Sequence, residues 1–211
     1  MRTQFLKVTS ESIQKAAMVV QNGGIVVYPT DTVYGLGCDP FDERAVQRLT
    51  TVKARSKGNL PVLVDSLRRA KELGEIDIDV RPLTLRFWPG PLTIVVPSRV
   101  SLPLQVSGPE NMIGLRIPGR QDTLNLISKS GGSLVGTSAN ISGVPSISMG
   151  EDAFKVFEGK VDIVLDGGFT STSPSSTVVT KTLSGIRVLR EGAISRTELG
   201  AVLTPNVQLQ E

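Results

Sequence analysis

The chain predicts a single α/β domain built on a twisted mixed β-sheet with helices packed on it. Three observations lead there. Short apolar runs of strand length alternate with stretches whose apolar residues recur every three or four positions. No linker-like shift in composition and no internal repeat divides the 211 residues, a length that one large domain accommodates. Cations, hydroxyls and amides gather at the ends of the apolar runs, where open α/β sheets bind their ligands. The domain is expected over residues 1–203, and the polar segment 204–211 is expected to be a loose tail.

The elements follow in order. Ser10 or Ser12 suits as N-cap of a first helix with Ile13, Ala16, Ala17 and Val20 on its inner face, and Asn22-Gly23-Gly24 ends it. Residues 24–28 read as a buried strand that Pro29 terminates, and Gly35 and Gly37 as tight turns or points of close approach to a ligand. Residues 42–52 are amphipathic, with Ala45, Val46, Leu49 and Val52 inward, and deliver the chain to Lys53 and Arg55. Residues 60–64 form a second buried strand, Ser66 caps a helix over 67–73, and a helix over 80–87 breaks at Trp88-Pro89-Gly90-Pro91. Strands follow at 92–97 and 111–118, the second with Arg116 near its end. A helix over 121–130 ends at Gly131-Gly132, and a strand over 134–138 runs into the turn Ser138-Ala139-Asn140. A helix at 152–158, a strand at 161–166, a Ser/Thr-rich loop at 169–176 and strands at 177–179 and 186–190 complete the domain.

Composition narrows the chemistry. Aromatic residues are 4% of the chain, so an aliphatic core of Val, Ile, Leu and Ala is expected. Histidine is absent and Cys38 is the lone cysteine, which removes a Ser-His-Asp triad, a His-ligated metal and a Cys-rich metal site. No protein-held metal is expected. A single thiol suits a reducing cytoplasm. The first residues lack the apolar stretch of a leader, and no apolar run approaches the roughly 18–20 residues of a membrane helix, so a cytoplasmic protein without a membrane partner is expected. The net charge of +3, from 23 Lys and Arg against 20 Asp and Glu, permits an anionic ligand or RNA without demanding either. Neither a P-loop nor a dinucleotide-binding glycine fingerprint is present.

What remains is polar and electrostatic: Lys53, Arg55, Asn59, Arg116, Ser138, Asn140, Ser146, Ser176 and Arg190, nearly all at strand ends. Such a set suits phosphoryl or nucleotidyl transfer, where a protein positions reactants and neutralises phosphate charge. Taken singly, each has a plainer reading. Lys53 and Arg55 can be a solvated helix end, Ser138 and Asn140 turn formers, and Arg190 a guard on an edge strand. Arg116 differs, because a cation in an apolar strand needs a partner.

Taken together, six segments resemble the YrdC/TsaC family. They are Tyr28-Pro29-Thr30-Asp31-Thr32-Val33-Tyr34-Gly35-Leu36-Gly37, Lys53-Ala54-Arg55, Trp88-Pro89-Gly90-Pro91-Leu92-Thr93, Gly114-Leu115-Arg116-Ile117-Pro118, Thr137-Ser138-Ala139-Asn140-Ile141-Ser142-Gly143 and Ser176-Thr177-Val178-Val179. They stand in family order over roughly residues 10–195, and the joint presence of Lys-x-Arg and Ser-x-Asn resembles the threonylcarbamoyl-adenylate synthase branch. The resemblance implies a twisted α/β sheet with a concave, basic cavity. It also implies an ATP-using nucleotidyltransferase that joins L-threonine and bicarbonate (or CO2) into L-threonylcarbamoyl-AMP. Pyrophosphate leaves, with Mg2+ escorting it, and a partner transferase then moves the group to tRNA.

Carried over by position, the resemblance places Thr32, Arg116 and Ser176 on L-threonine, with Arg116 on its carboxylate, Gly136 lining that pocket and Val64 where many members have histidine. Arg55 and Asn59 would contact ATP, and Lys53 and Arg55 would stabilise the charge at its reacting phosphate. Met112, Ser138, Asn140, Ser146 and Arg190 would complete the nucleotide site. Ser56, the order Leu60-Pro61, Val64 and Ser175 depart from the family pattern. Some members carry a second domain after a linker; none is expected in this chain, so any cover over the nucleotide is expected from its own loops. Two other readings stay open: a module of this fold that holds double-stranded RNA without chemistry, and a related transferase with another substrate; tRNA stands beside double-stranded RNA as a candidate partner.

Overall fold

A computed structural model describes residues 2–54, 59–171, 174–203 and 207–210. In chain order the elements are β1 (Gln4–Lys7), α1 (Ser10–Gln21), β2 (Val26–Tyr28), β3 (Gly35–Gly37), α2 (Glu43–Val52), β4 (Val62–Val64), α3 (Leu67–Leu73), α4 (Arg81–Phe87), β5 (Leu92–Pro97) and α5 (Leu104–Ser107). Then come β6 (Met112–Arg116), α6 (Gln121–Lys129), β7 (Ser133–Val135), β8 (Thr137–Ser138), α7 (Gly150–Phe157), β9 (Ile163–Asp166), β10 (Thr177–Thr182), β11 (Gly185–Arg190), α8 (Arg196–Gly200) and β12 (Gln208–Gln210).

The expected α/β domain carries two mixed sheets instead of one. A five-stranded sheet runs β1-β9-β2-β3-β8 and a seven-stranded sheet runs β12-β11-β10-β5-β6-β4-β7. The segment read as one strand over 134–138 explains the division. It breaks at Gly136, so that β7 pairs antiparallel with β4 in the larger sheet and β8 with β3 in the smaller. The side chain of Leu63 lies where a Gly136 Cβ would stand, so only glycine lets the chain cross between sheets there.

Most elements form where the local pattern requires. Asp42 caps α2 through the amides of Arg44 and Ala45, and the helix buries Ala45, Val46 and Leu49. Ser66 caps α3 by accepting from the Arg69 amide. In α1 the N-cap is Thr9, not Ser10 or Ser12; Ser12 instead closes the capping box from the third helical position. Val26 and Tyr28 pack with Ile13, Ala17, Leu126 and Ile127 of α1 and α6, while Ile25 and Val27 join the larger cluster between the sheets. Both faces of β2 are therefore covered.

Two elements depart from expectation. Of the two readings of Gly35 and Gly37 the turn fails, because Gly35–Gly37 is a strand paired with β2 and β8, while Gly35 does come to the wall of a cavity. The tail expected to be loose contributes β12, parallel to Gly185–Arg187. Among the described residues, no helix is long and apolar enough to cross a membrane.

Candidate functional site

A cavity of about 570 Å³ opens along the seam between the sheets. Its wall takes Thr30, Thr32 and Tyr34 from the β2–β3 connection, Thr93 from β5, Gly114 and Arg116 from β6, and Gly136 to Ser138 from the crossover. Ser175 and Ser176 come from the loop before β10, Val178 from β10, and Leu189 and Arg190 from β11. Of the residues expected at a site, Thr32, Asn59, Arg116, Gly136, Ser138, Ser176 and Arg190 line this one cavity.

Arg116 sits at the end of β6, 6% exposed, and is held at three points. Its Nε donates to the Gly90 carbonyl at 3.0 Å, its Nη1 to Thr32 Oγ1 at 3.4 Å and its Nη2 to Asp31 Oδ1 at 2.5 Å. The partner that a buried cation demands is therefore Asp31. Thr32 is itself oriented, since Thr30 Oγ1 lies 3.1 Å from Thr32 Oγ1 and donates to the Val33 carbonyl. The remaining Nη hydrogens of Arg116 are left for a carboxylate or phosphate, which guanidinium binds as a planar fork.

Across the cavity, Arg190 Nη2 donates to the Ser176 carbonyl at 2.7 Å and approaches Ser176 Oγ at 3.4 Å. Ser176 Oγ is in turn 2.9 Å from Thr93 Oγ1. Partial burial, and then the like charge of Arg116, pull the Arg190 guanidinium below the ordinary arginine range; it stays charged at any working pH. Arg116 and Arg190 are the charged side chains among the described lining residues. Burial pushes the Tyr34 hydroxyl up to about 12, and it donates to the Gly168 carbonyl at 2.7 Å.

The other expected residues stand elsewhere. Lys53 is 3% exposed and lies one layer back from the wall, with its ammonium against Ser138 and Asn140. Asn140 sits in the turn behind Ser138, its Nδ2 donating to the Val144 carbonyl at 2.6 Å. Met112 offers its carbonyl to Asn59 Nδ2 at 3.3 Å without entering the wall. Ser146 is half-buried in the loop between β8 and α7, outside the wall. Val64 is fully buried in β4 opposite Ser133, again outside it. Arg55 lies outside the described residues.

Asp31, Thr93 and Tyr34 join the site by fold, not by any signal read for them individually. Among the described residues, no three His, Cys, Asp or Glu side chains gather as a metal set. The polar side chains on this wall among the described residues are hydroxyls, two guanidinium groups and the Asn59 carboxamide; with no carboxylate among them they do not fit a protein-held Mg2+.

Residues 18–192 match the Sua5_yciO_yrdC family, described as Telomere recombination. A protein of Pyrococcus abyssi named Threonylcarbamoyl-AMP synthase is 36% identical over 193 residues, 90% of this chain and 57% of its own. One of Pseudomonas fluorescens with the same name is 38% identical over 76% of this chain and 87% of its own. The crystal structure of P. abyssi Sua5 complexed with L-threonine superposes with a TM-score of 0.89 at 32% identity, over 99% of this chain and 62% of that one. The chain thus spans about three fifths of the length of the P. abyssi protein. Its motifs fall in one order along one shared fold, and the chain belongs to the Sua5/YciO/YrdC family.

Proposed function

We propose that this domain is a nucleotidyltransferase that makes L-threonylcarbamoyl-AMP from L-threonine, bicarbonate or CO2, and ATP. Pyrophosphate is released, and the product serves the first step of threonylcarbamoyladenosine modification of tRNA. The observation that carries the reading is Arg116: a buried guanidinium, braced by Asp31, Gly90 and Thr32, at the wall of a cavity whose fold matches a protein complexed with L-threonine.

In this reading Arg116 takes the threonine carboxylate, with Thr32 and Ser176 beside the amino acid. The amine adds to CO2 and loses a proton to solvent, giving a carbamate. A carbamate oxygen attacks the α-phosphorus of ATP, the bond to the β-phosphate oxygen breaks, and pyrophosphate leaves. No protein nucleophile is needed, and the chain's work is positioning and charge neutralisation. Arg190, Asn59 and Ser138 face the nucleotide from the cavity wall, with Arg55 the further cation assigned to its phosphates. Any Mg2+ belongs to the ATP phosphates, because the described residues of the wall offer it no carboxylate. The product passes to a transferase that acts on tRNA.

The test is pyrophosphate release with ATP, bicarbonate and each amino acid in turn. Release should depend on L-threonine, and Arg116→Ala should raise the threonine KM by roughly 10- to 100-fold, the worth of charge-assisted hydrogen bonds. Release indifferent to the amino acid would point to a transferase with another substrate. Salt-sensitive RNA binding with no ATP turnover would sink the enzyme reading altogether.

A further inference from the structure

We propose that Lys53 is a positioning residue that holds the Ser138–Asn140 turn in shape, rather than a ligand of the phosphates. Its functional consequence rests on the nucleotidyl-transfer reading; its geometry does not. Lys53 caps the C-terminus of α2, and Ala54 follows at φ +50°, turning the backbone away while the lysine stem runs inward. The ammonium meets four oxygens of one turn: Ser138 O at 2.6 Å, Asn140 Oδ1 at 2.9 Å, Asn140 O at 3.2 Å and Ser138 Oγ at 3.3 Å. Its three N–H donors are thereby engaged. The backbone adds a second tie, the Ser142 amide donating to the Lys53 carbonyl at 3.0 Å.

The turn is organised around that charge. Ser138 Oγ donates to Asn140 Oδ1 at 2.6 Å, and Asn140 Nδ2 donates to the Val144 and Ile141 carbonyls. Both side chains aim their own donors within the turn and their oxygens at the lysine. Remove the ammonium, and these oxygens converge in a half-buried place with no cation among them, an arrangement that relaxes only by opening the turn. Ser138 lines the cavity and pairs with Gly35, so such a movement reaches the wall directly. Lysine suits the task because its compact charge directs three donors in different directions, whereas the planar arginine fork cannot surround itself with these acceptors.

Two variants and two readouts test this. In the ligand-free protein, Lys53→Arg and Lys53→Met should each speed amide exchange over residues 138–144 by about tenfold or more, the opening expected when such hydrogen bonds are lost. Both should lower kcat/KM for ATP by at least about tenfold, with arginine giving no rescue. A phosphate ligand predicts otherwise: arginine restores most of the activity, and exchange in the ligand-free turn stays as in the wild type. Either result overturns the proposal. If Lys53→Met does not fold, Lys53→Arg still decides it. Wild-type protein that releases no pyrophosphate would overturn the functional reading, and the exchange measurement would still settle what the lysine does.

Discussion

At the scale of the residue, the Arg116–Asp31 pair shows how burial turns a charge into a structural obligation. The side chains are 7% and 16% exposed, so neither ion is well hydrated. Breaking a buried pair leaves one charge uncompensated, which costs more than the pair contributes when intact. Asp31→Ala should therefore lower stability by about 3–5 kcal/mol in urea denaturation, whereas Asp31→Leu combined with Arg116→Met should come closer to the wild type. An Asp31→Ala protein that unfolds at the wild-type midpoint would show that Arg116 does not depend on its partner. The sequence signals that Arg116 needs an anion, because it stands in an apolar strand. It does not say which one, since Asp31 lies 85 positions away and looks like an ordinary turn residue.

At the scale of the element, β3 carries the most information about the seam. Its Leu36 is buried, and its two glycines lie against the ring of Tyr28. A Cβ on Gly35 would stand 2.8 Å from that ring, and one on Gly37 would collide with the Val135 carbonyl. Gly37→Ala should thus cost about 1–3 kcal/mol by overpacking, read as a lower urea midpoint. An unchanged midpoint would mean that the sheets can part at this seam without loss. Glycines rarely announce a strand, which is why the stretch reads locally as a turn. Here the reason for glycine is the closeness of the opposing backbone and ring, a fact that no local window contains. The same holds for 134–138, whose apolar pattern is that of one strand until Leu63 demands a crossover at Gly136.

At the scale of the whole molecule, both tyrosines of the chain report on how the core closes around them. Tyr28 OH donates to the Val135 carbonyl at 2.9 Å and is fully buried. Burial raises its ionisation well above the ordinary tyrosine range, and the same cause pushes Tyr34 up to about 12. A raised value on an acid that is neutral in the fold stabilises the protein fully below the unfolded value, about 10. That stability is lost as pH rises from there through the folded values. Tyrosinate absorbance should therefore stay low near pH 10 and rise only toward pH 12 or together with alkaline unfolding, the latter followed by the fluorescence of Trp88. Tyrosinate formed near pH 10 in a protein that is still folded would contradict this packing.

By itself the sequence determined what acts over a few residues: the cap at Ser66, the apolar faces of the helices, the apolar strands, and an order of motifs that names a family. Only the tertiary structure decided the division into two sheets, the strand formed by Gly35–Gly37, the pairing of the tail as β12, the anion that Arg116 requires and the place of Lys53 behind the wall. Capping and periodicity are settled by neighbours within a turn or two of chain. Sheet pairing and buried charge are settled by groups far apart in sequence, which meet only when the core closes around them.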